Sequence, residues 1–129
     1  MSTKTEFMNT PELGVPKLPL SHAAIHGDYI FLSGQFGLDP QTGALSGADI
    51  DSQTHQTFKN IEATLRSLGR SFGDVIKCNV YLTDMGNFQA MNQIYGSYFK
   101  APYPARTTVG VVGLPMGALV EIEMLVAQG

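Results

Sequence analysis

The hydrophobic period of this chain switches repeatedly between helix-like and strand-like, and that switching restricts the fold more than any other feature. Over Asp51–Leu68 the stripe Thr54, Phe58, Ile61, Leu65 and Leu68 recurs at three- and four-residue steps, the mark of an amphipathic helix. Asp51 or Ser52 is placed to cap its start and Gly69 to end it. Val75–Thr83 then alternates, with Ile76, Cys78, Val80 and Leu82 on one face. Asn87–Phe99 returns to the helical period along Phe88, Met91, Asn92, Tyr95 and Phe99, and Pro102 and Pro104 stop it. Arg106–Val112 and Ala118–Ala127 read as two closing strands around Gly113–Gly117. Upstream, His22–His26 and Tyr29–Gly34 read as a hairpin turned by Gly27-Asp28. Asp39-Pro40-Gln41-Thr42-Gly43 is turn chemistry that opens a loop to about Ile50. Pro11, Gly14, Pro16 and Pro19 make residues 1–20 an irregular lead-in.

The predicted order is β-β-α-β-α-β-β, an α+β sandwich in which one mixed sheet carries two helices on one face. A length of 129 residues suits a single domain over 1–129. The other face of such a sheet needs a cover. Tyr29/Phe31 and Ile30/Leu32 make both alternating sets of one strand apolar. In the last strand Leu119 and Leu125 share a face with two glutamates, while Val120, Ile122, Met124 and Val126 fill the opposite one. Two helices cover one face only, so a second subunit is expected on the other.

Composition narrows the function classes. Only 15% of residues are charged, against roughly 25% in an average domain. Eight Lys+Arg against eleven Asp+Glu leave a net charge of −3, which gives nucleic acid little electrostatic help. One cysteine, Cys78, excludes an internal disulfide and a Cys-based zinc site, and its apolar strand position reads as inert packing. His22 and His26 share a strand face but stand roughly 13 Å apart, and His55 lies on a helix, so no metal spacing emerges. No apolar run reaches the ~20 residues of a membrane span, and MSTKTEFMNT lacks the core of a secretion signal. A small cytoplasmic domain without a cofactor is the expectation.

Three residues stand out chemically. Arg106 follows Pro102-Tyr103-Pro104-Ala105 and opens an apolar strand; it suits either a carboxylate ligand or an internal ion pair to a glutamate. Glu121 and Glu123 lie two apart on one strand face. They form either a solvated polar row or a pair whose mutual repulsion and burial tune one of them for proton transfer. Asn92 interrupts an apolar stripe, as a core cap or a group aimed into a site. Ser33, beside Gly34-Gln35, offers a ligand contact or a turn contact. Ser33-Gly34-Gln35-Phe36-Gly37 lacks the lysine and helix start of a phosphate loop, and no nucleophile elbow occurs.

Several segments, taken together and in order, resemble the Rid family, the YjgF-like reactive-intermediate deaminases also labelled L-PSP endoribonucleases. They are Gly27-Asp28-Tyr29-Ile30-Phe31-Leu32-Ser33-Gly34-Gln35, Leu38-Asp39-Pro40-Gln41-Thr42-Gly43, Val80-Tyr81-Leu82-Thr83-Asp84-Met85, Phe88 to Tyr95, Pro104-Ala105-Arg106-Thr107-Thr108-Val109, Leu114-Pro115 and Val120-Glu121-Ile122-Glu123. The resemblance runs from about Pro19 to Ala127. It implies a chorismate-mutase-like homotrimer whose three sheets form a barrel, with sites between subunits. It further implies hydrolysis of 2-imino or 2-enamino acids to 2-oxo acids and ammonia, as in 2-iminobutanoate/2-iminopropanoate deaminases. By the same resemblance Arg106 holds the substrate carboxylate, Glu121 positions or activates water, and Ser33 and Asn92 line the site. Leu20 stands where the best-known branch has a tyrosine, His22 where it has glutamine, and Thr108 where it often has cysteine. The site wall at Leu20 is therefore expected to be more apolar. Other readings are a deaminase of a different carboxylated enamine such as aminomuconate, and a non-catalytic carboxylate-binding or chaperone-like trimer. A ribonuclease fits the acidic charge less well.

Overall fold

A computed structural model describes residues 4–129, and among them seven strands form one mixed sheet. In chain order the elements are β1 (Glu6–Met8), β2 (Ala23–His26), β3 (Tyr29–Leu32), β4 (Gln35–Phe36), α1 (Ile50–Ser67), β5 (Val75–Leu82), α2 (Phe88–Tyr98), β6 (Ala105–Gly110) and β7 (Val120–Ala127). Across the sheet they run β1-β2-β3-β7-β5-β6, with β4 also paired to β7. Only β5 and β6 pair in parallel, as the connection through α2 requires.

The two-helix sandwich agrees with the sequence pattern, and four local features differ from it. Residues 1–3 of the predicted lead-in lie outside the described residues. The rest of that segment is not all irregular. Glu6–Met8 pairs antiparallel with β2, and Asn9 and Thr10 are tied to His22 through the His22 N–H to Asn9 Oδ1 and the Thr10 N–H to His22 Nδ1. A three-residue edge strand carries no readable period, so pairing with β2 is what creates it. Gln35-Phe36 likewise adds the short β4, held by β7 rather than by local propensity. The cap of α1 is Asp49, whose carboxylate accepts the Ser52 N–H at 2.9 Å, two or three residues earlier than Asp51 or Ser52 would place it. Ile76 points away from the core at 38% exposure, because a bulge between Val75 and Lys77 slips the alternation by one residue.

The core lies between the sheet and the helices. From β7 it takes Val120, Ile122, Met124 and Val126, and from β5 Cys78, Val80 and Leu82. Phe58 of α1 is fully buried, stacks on Tyr98 at 4.4 Å and meets Tyr95 of α2 and Phe99 just after it edge-on. The buried flank of α1 is partly polar, and those groups tether loops. Asn60 Nδ2 donates to Leu38 O at 2.8 Å, and Gln53 both donates to Gly47 O and accepts from the Leu119 N–H. Gly37 allows the loop to pass α1 closely; a methyl there would lie 2.7 Å from the Gln53 Cα.

The other sheet face has no helix. Tyr29 and Phe31 stand there at 49% and 52% exposure, beside Lys77, Asn79, Tyr81, Glu121, Glu123 and Leu125.

Candidate functional site

The cationic group sits on the helix side of the sheet. Arg106 pairs in register with Cys78, which pairs in turn with Met124, and both partners are buried beneath the helices. Its side chain therefore reaches α2 at the sheet edge. Asn92 Oδ1 accepts a short hydrogen bond from Arg106 Nη1, and the guanidinium carbon lies 4.7 Å from the centre of the Tyr95 ring and 5.6 Å from that of Phe88. Phe88, Asn92 and Tyr95 follow at four and three residues along one stripe of α2, so the helix presents them together. Asn92 is exposed rather than a core cap. Among the described residues the ion pairs belong to Arg66, with Glu12 and Glu62, and none to Arg106. The aromatic faces and the amide fix the guanidinium and leave its charge uncompensated. Thr108, two residues on, shares this face; its hydroxyl is buried and has no partner among the described residues.

The acidic groups sit on the opposite face. Glu121 pairs with Tyr81 and Glu123 with Asn79. The two carboxylates are not equivalent. Glu123 accepts the Asn79 amide at 3.2 Å and the Tyr81 hydroxyl at 2.5 Å. Donating to that carboxylate pushes the Tyr81 hydroxyl up to about 12. Glu121 is half-buried and takes no such bond among the described residues. Burial first, and the Glu123 charge second, hold its carboxyl above the ordinary carboxylate range. Its carboxylate rests on Gly34, where a methyl would come within 2.6 Å of Oε2. Tyr81, Asn79 and Gly34 were not singled out by the sequence. The alternation of β5 would have found the first two, since Lys77, Asn79 and Tyr81 form the set left over from its buried positions.

Ser33, immediately before Gly34, donates its hydroxyl proton to Ser21 O at 2.6 Å and its N–H to His22 O at 3.0 Å. Leu20, 46% exposed, and Ser33 line a cleft of about 510 Å³ together with Phe7, Ala24 and Phe31. The predicted site residues thus fall into two groups: Arg106, Asn92 and Thr108 by α2, and Glu121, Ser33 and Leu20 beyond the sheet. One chain does not bring the arginine and the glutamates together, because the sheet lies between them. Cys78 is fully buried, and burial pushes its thiol up to about 11, in keeping with inert packing.

The family model described as Endoribonuclease L-PSP matches residues 13–128. A RutC family protein of Pyrococcus horikoshii is 42% identical over 93% of this chain and 95% of its own length. The 2-iminobutanoate/2-iminopropanoate deaminase of Dermatophagoides farinae is 36% identical over 98% of both chains. Among solved structures, the Rid-family protein YyfA of Yersinia pestis superposes with a TM-score of 0.92 at 37% identity, over 96% of this chain and 99% of that one.

Proposed function

The chain belongs to the Endoribonuclease L-PSP family, the Rid family, and from that premise we propose that it hydrolyses 2-imino and 2-enamino acids to 2-oxo acids and ammonia. The observation that carries this reading is Arg106: a half-buried guanidinium, fixed by Asn92 and two aromatic rings, with no carboxylate of the described residues paired to it. A planar fork held in that way suits bidentate capture of a substrate carboxylate. Imines are intrinsically reactive, so hydrolysis calls for orientation and proton transfer rather than a covalent nucleophile.

The acid/base group is Glu121. Ionised, it takes a proton from water as the oxygen bonds to the imine carbon. It returns that proton to nitrogen to give the carbinolamine, then carries the remaining hydroxyl proton to nitrogen as the C=O bond forms, the C–N bond breaks and ammonia leaves. A carboxyl raised above its ordinary range is a better match for such a shuttle near neutral pH. Glu123 beside it is occupied by the Tyr81 hydroxyl and the Asn79 amide, which leaves Glu121 as the free carboxylate.

Since the sheet separates Arg106 from Glu121, the complete site is built from two copies. The uncovered apolar face, with Tyr29 half-exposed on it, supports a homotrimer in which three sheets close into a barrel. No helix among the described residues is long and apolar enough to cross a membrane.

The test uses imines generated in situ by an amino-acid oxidase, with ammonia release as the readout. Wild type accelerates release over buffer. Arg106→Ala and Glu121→Gln each lose on the order of 10³-fold in kcat/KM. Denatured together at equal amounts and refolded, the two variants recover activity at about a quarter of the sites, since each site then draws its arginine and its glutamate independently from the two chains. No acceleration by wild type overturns the deaminase reading and leaves carboxylate binding as the function. No recovery on mixing overturns the two-chain site.

A further inference from the structure

Resting on the deaminase reading, we infer that the cleft between Phe7 and Phe31 receives the substrate's side chain and selects bulky apolar 2-imino acids over the alanine-derived one. The register of the first three strands builds this cleft. Phe7 of β1 pairs with Ala24 of β2, and Ala24 pairs with Phe31 of β3, so the three side chains form one row across the uncovered face. Phe7 and Phe31 are 69% and 52% exposed. The small Ala24 between them leaves a trough with two aromatic walls. Leu20 adds a third apolar surface, and the open trough has a volume of about 510 Å³.

The trough is continuous with the acid/base group. Ser33 lines it, and the next residue, Gly34, is the one on which the Glu121 carboxylate rests. A ligand whose reacting carbon stands at Glu121 can therefore lay its side chain along Ser33 toward Ala24. Ser33 has no proton left to donate to a polar side chain, because its Oγ already donates to the Ser21 carbonyl. A charged or hydroxylated side chain would lose its hydration there without gaining a matched partner. An aromatic or branched aliphatic chain instead buries apolar surface against two rings.

Phe7 reaches this position only because β1 is pinned. His22 Nδ1 accepts the Thr10 N–H at 2.8 Å, Asn9 Oδ1 accepts the His22 N–H, and the Thr10 hydroxyl donates to Thr64 of α1. The wall is thus fixed to the helix layer rather than carried by a loose terminus.

The test compares kcat/KM for imines made in situ from phenylalanine, leucine, alanine and aspartate. Wild type is expected to favour the phenylalanine- and leucine-derived imines. Ala24→Leu, which fills the trough, is expected to lower the phenylalanine-to-alanine ratio by about tenfold or more. Phe7→Ala removes a wall without adding bulk and is expected to lower the same ratio, which keeps the test decisive if Ala24→Leu misfolds. Equal turnover of all four imines by wild type, or an unchanged ratio in Phe7→Ala, overturns the inference while leaving the deaminase reading intact. Loss of assembly by light scattering in Phe7→Ala, with all substrates reduced alike, would show that the trough is filled by a second copy and overturn it too. No turnover of any imine by wild type is the separate failure of the deaminase reading.

Discussion

Arg106 and Glu121 lie on opposite faces of the same sheet and are held in opposite ways. The arginine is enclosed by its own helix: an amide oxygen at one nitrogen and two rings against its carbon fix the fork before any ligand arrives. The glutamate is held by shape. It rests on a glycine, takes no hydrogen bond from the described residues and faces a neighbouring anion. On the proposed mechanism the binding group would be preorganised by partners, and the proton-transfer group would be left free by having none among the described residues. That is the division a hydrolase needs, since a clamp gains from rigidity and a base gains from an unquenched carboxylate.

The contrast predicts unequal sensitivity. Gly34→Ala is the most direct way to break it, because the added methyl meets the Glu121 carboxylate at 2.6 Å and must displace it. A shift of about 1 Å costs on the order of 10²-fold, so kcat should fall by that much while far-ultraviolet circular dichroism is unchanged. Asn92→Ala tests the other side. The aromatic faces still hold the guanidinium, so a loss of about tenfold, read mainly in KM, is expected. A loss as large as that of Arg106→Ala would mean that the amide, not the rings, fixes the clamp. Glu123→Gln gives the smallest effect in rate and the most specific one in pH. Glu121 must be ionised to accept a proton, so kcat/KM declines as pH falls through its raised pKa, above the usual 4.5 of a glutamate. Removing the neighbouring negative charge lowers that pKa, and the acid limb of the profile should move to lower pH. An unmoved limb would leave burial as the sole cause.

Much of this arrangement was legible in the sequence, and the exceptions share a cause. The stripe Thr54, Phe58, Ile61, Leu65 and the alternation of β7 report burial in every residue, so the two layers could be read directly. Ile76 could not, because a bulge shifts the period and leaves no local signature. Glu6–Met8 and Gln35-Phe36 are strands only through partners distant in sequence. The same holds for the site. Glu121 and Glu123 look alike along the chain, and the β5 residues opposite them make one satisfied and the other free. Sequence placed Arg106 at a strand start, but which face it takes follows from its parallel register with Cys78. The family resemblance pointed to these residues as a site, and the register adds that Arg106 and Glu121 take opposite faces of the sheet.

The hydroxyl of Ser33 has one proton, and the structure commits it to the Ser21 carbonyl. Toward anything in the adjoining cleft it can therefore only accept. A 2-imino acid brings an N–H that can use such an acceptor; the 2-oxo acid left behind presents a carbonyl oxygen in the same place and has nothing to donate. On the proposed reaction, a nitrogen placed against Ser33 would lose its acceptor contact as it leaves, so this one hydroxyl would favour the imino acid over the oxo acid.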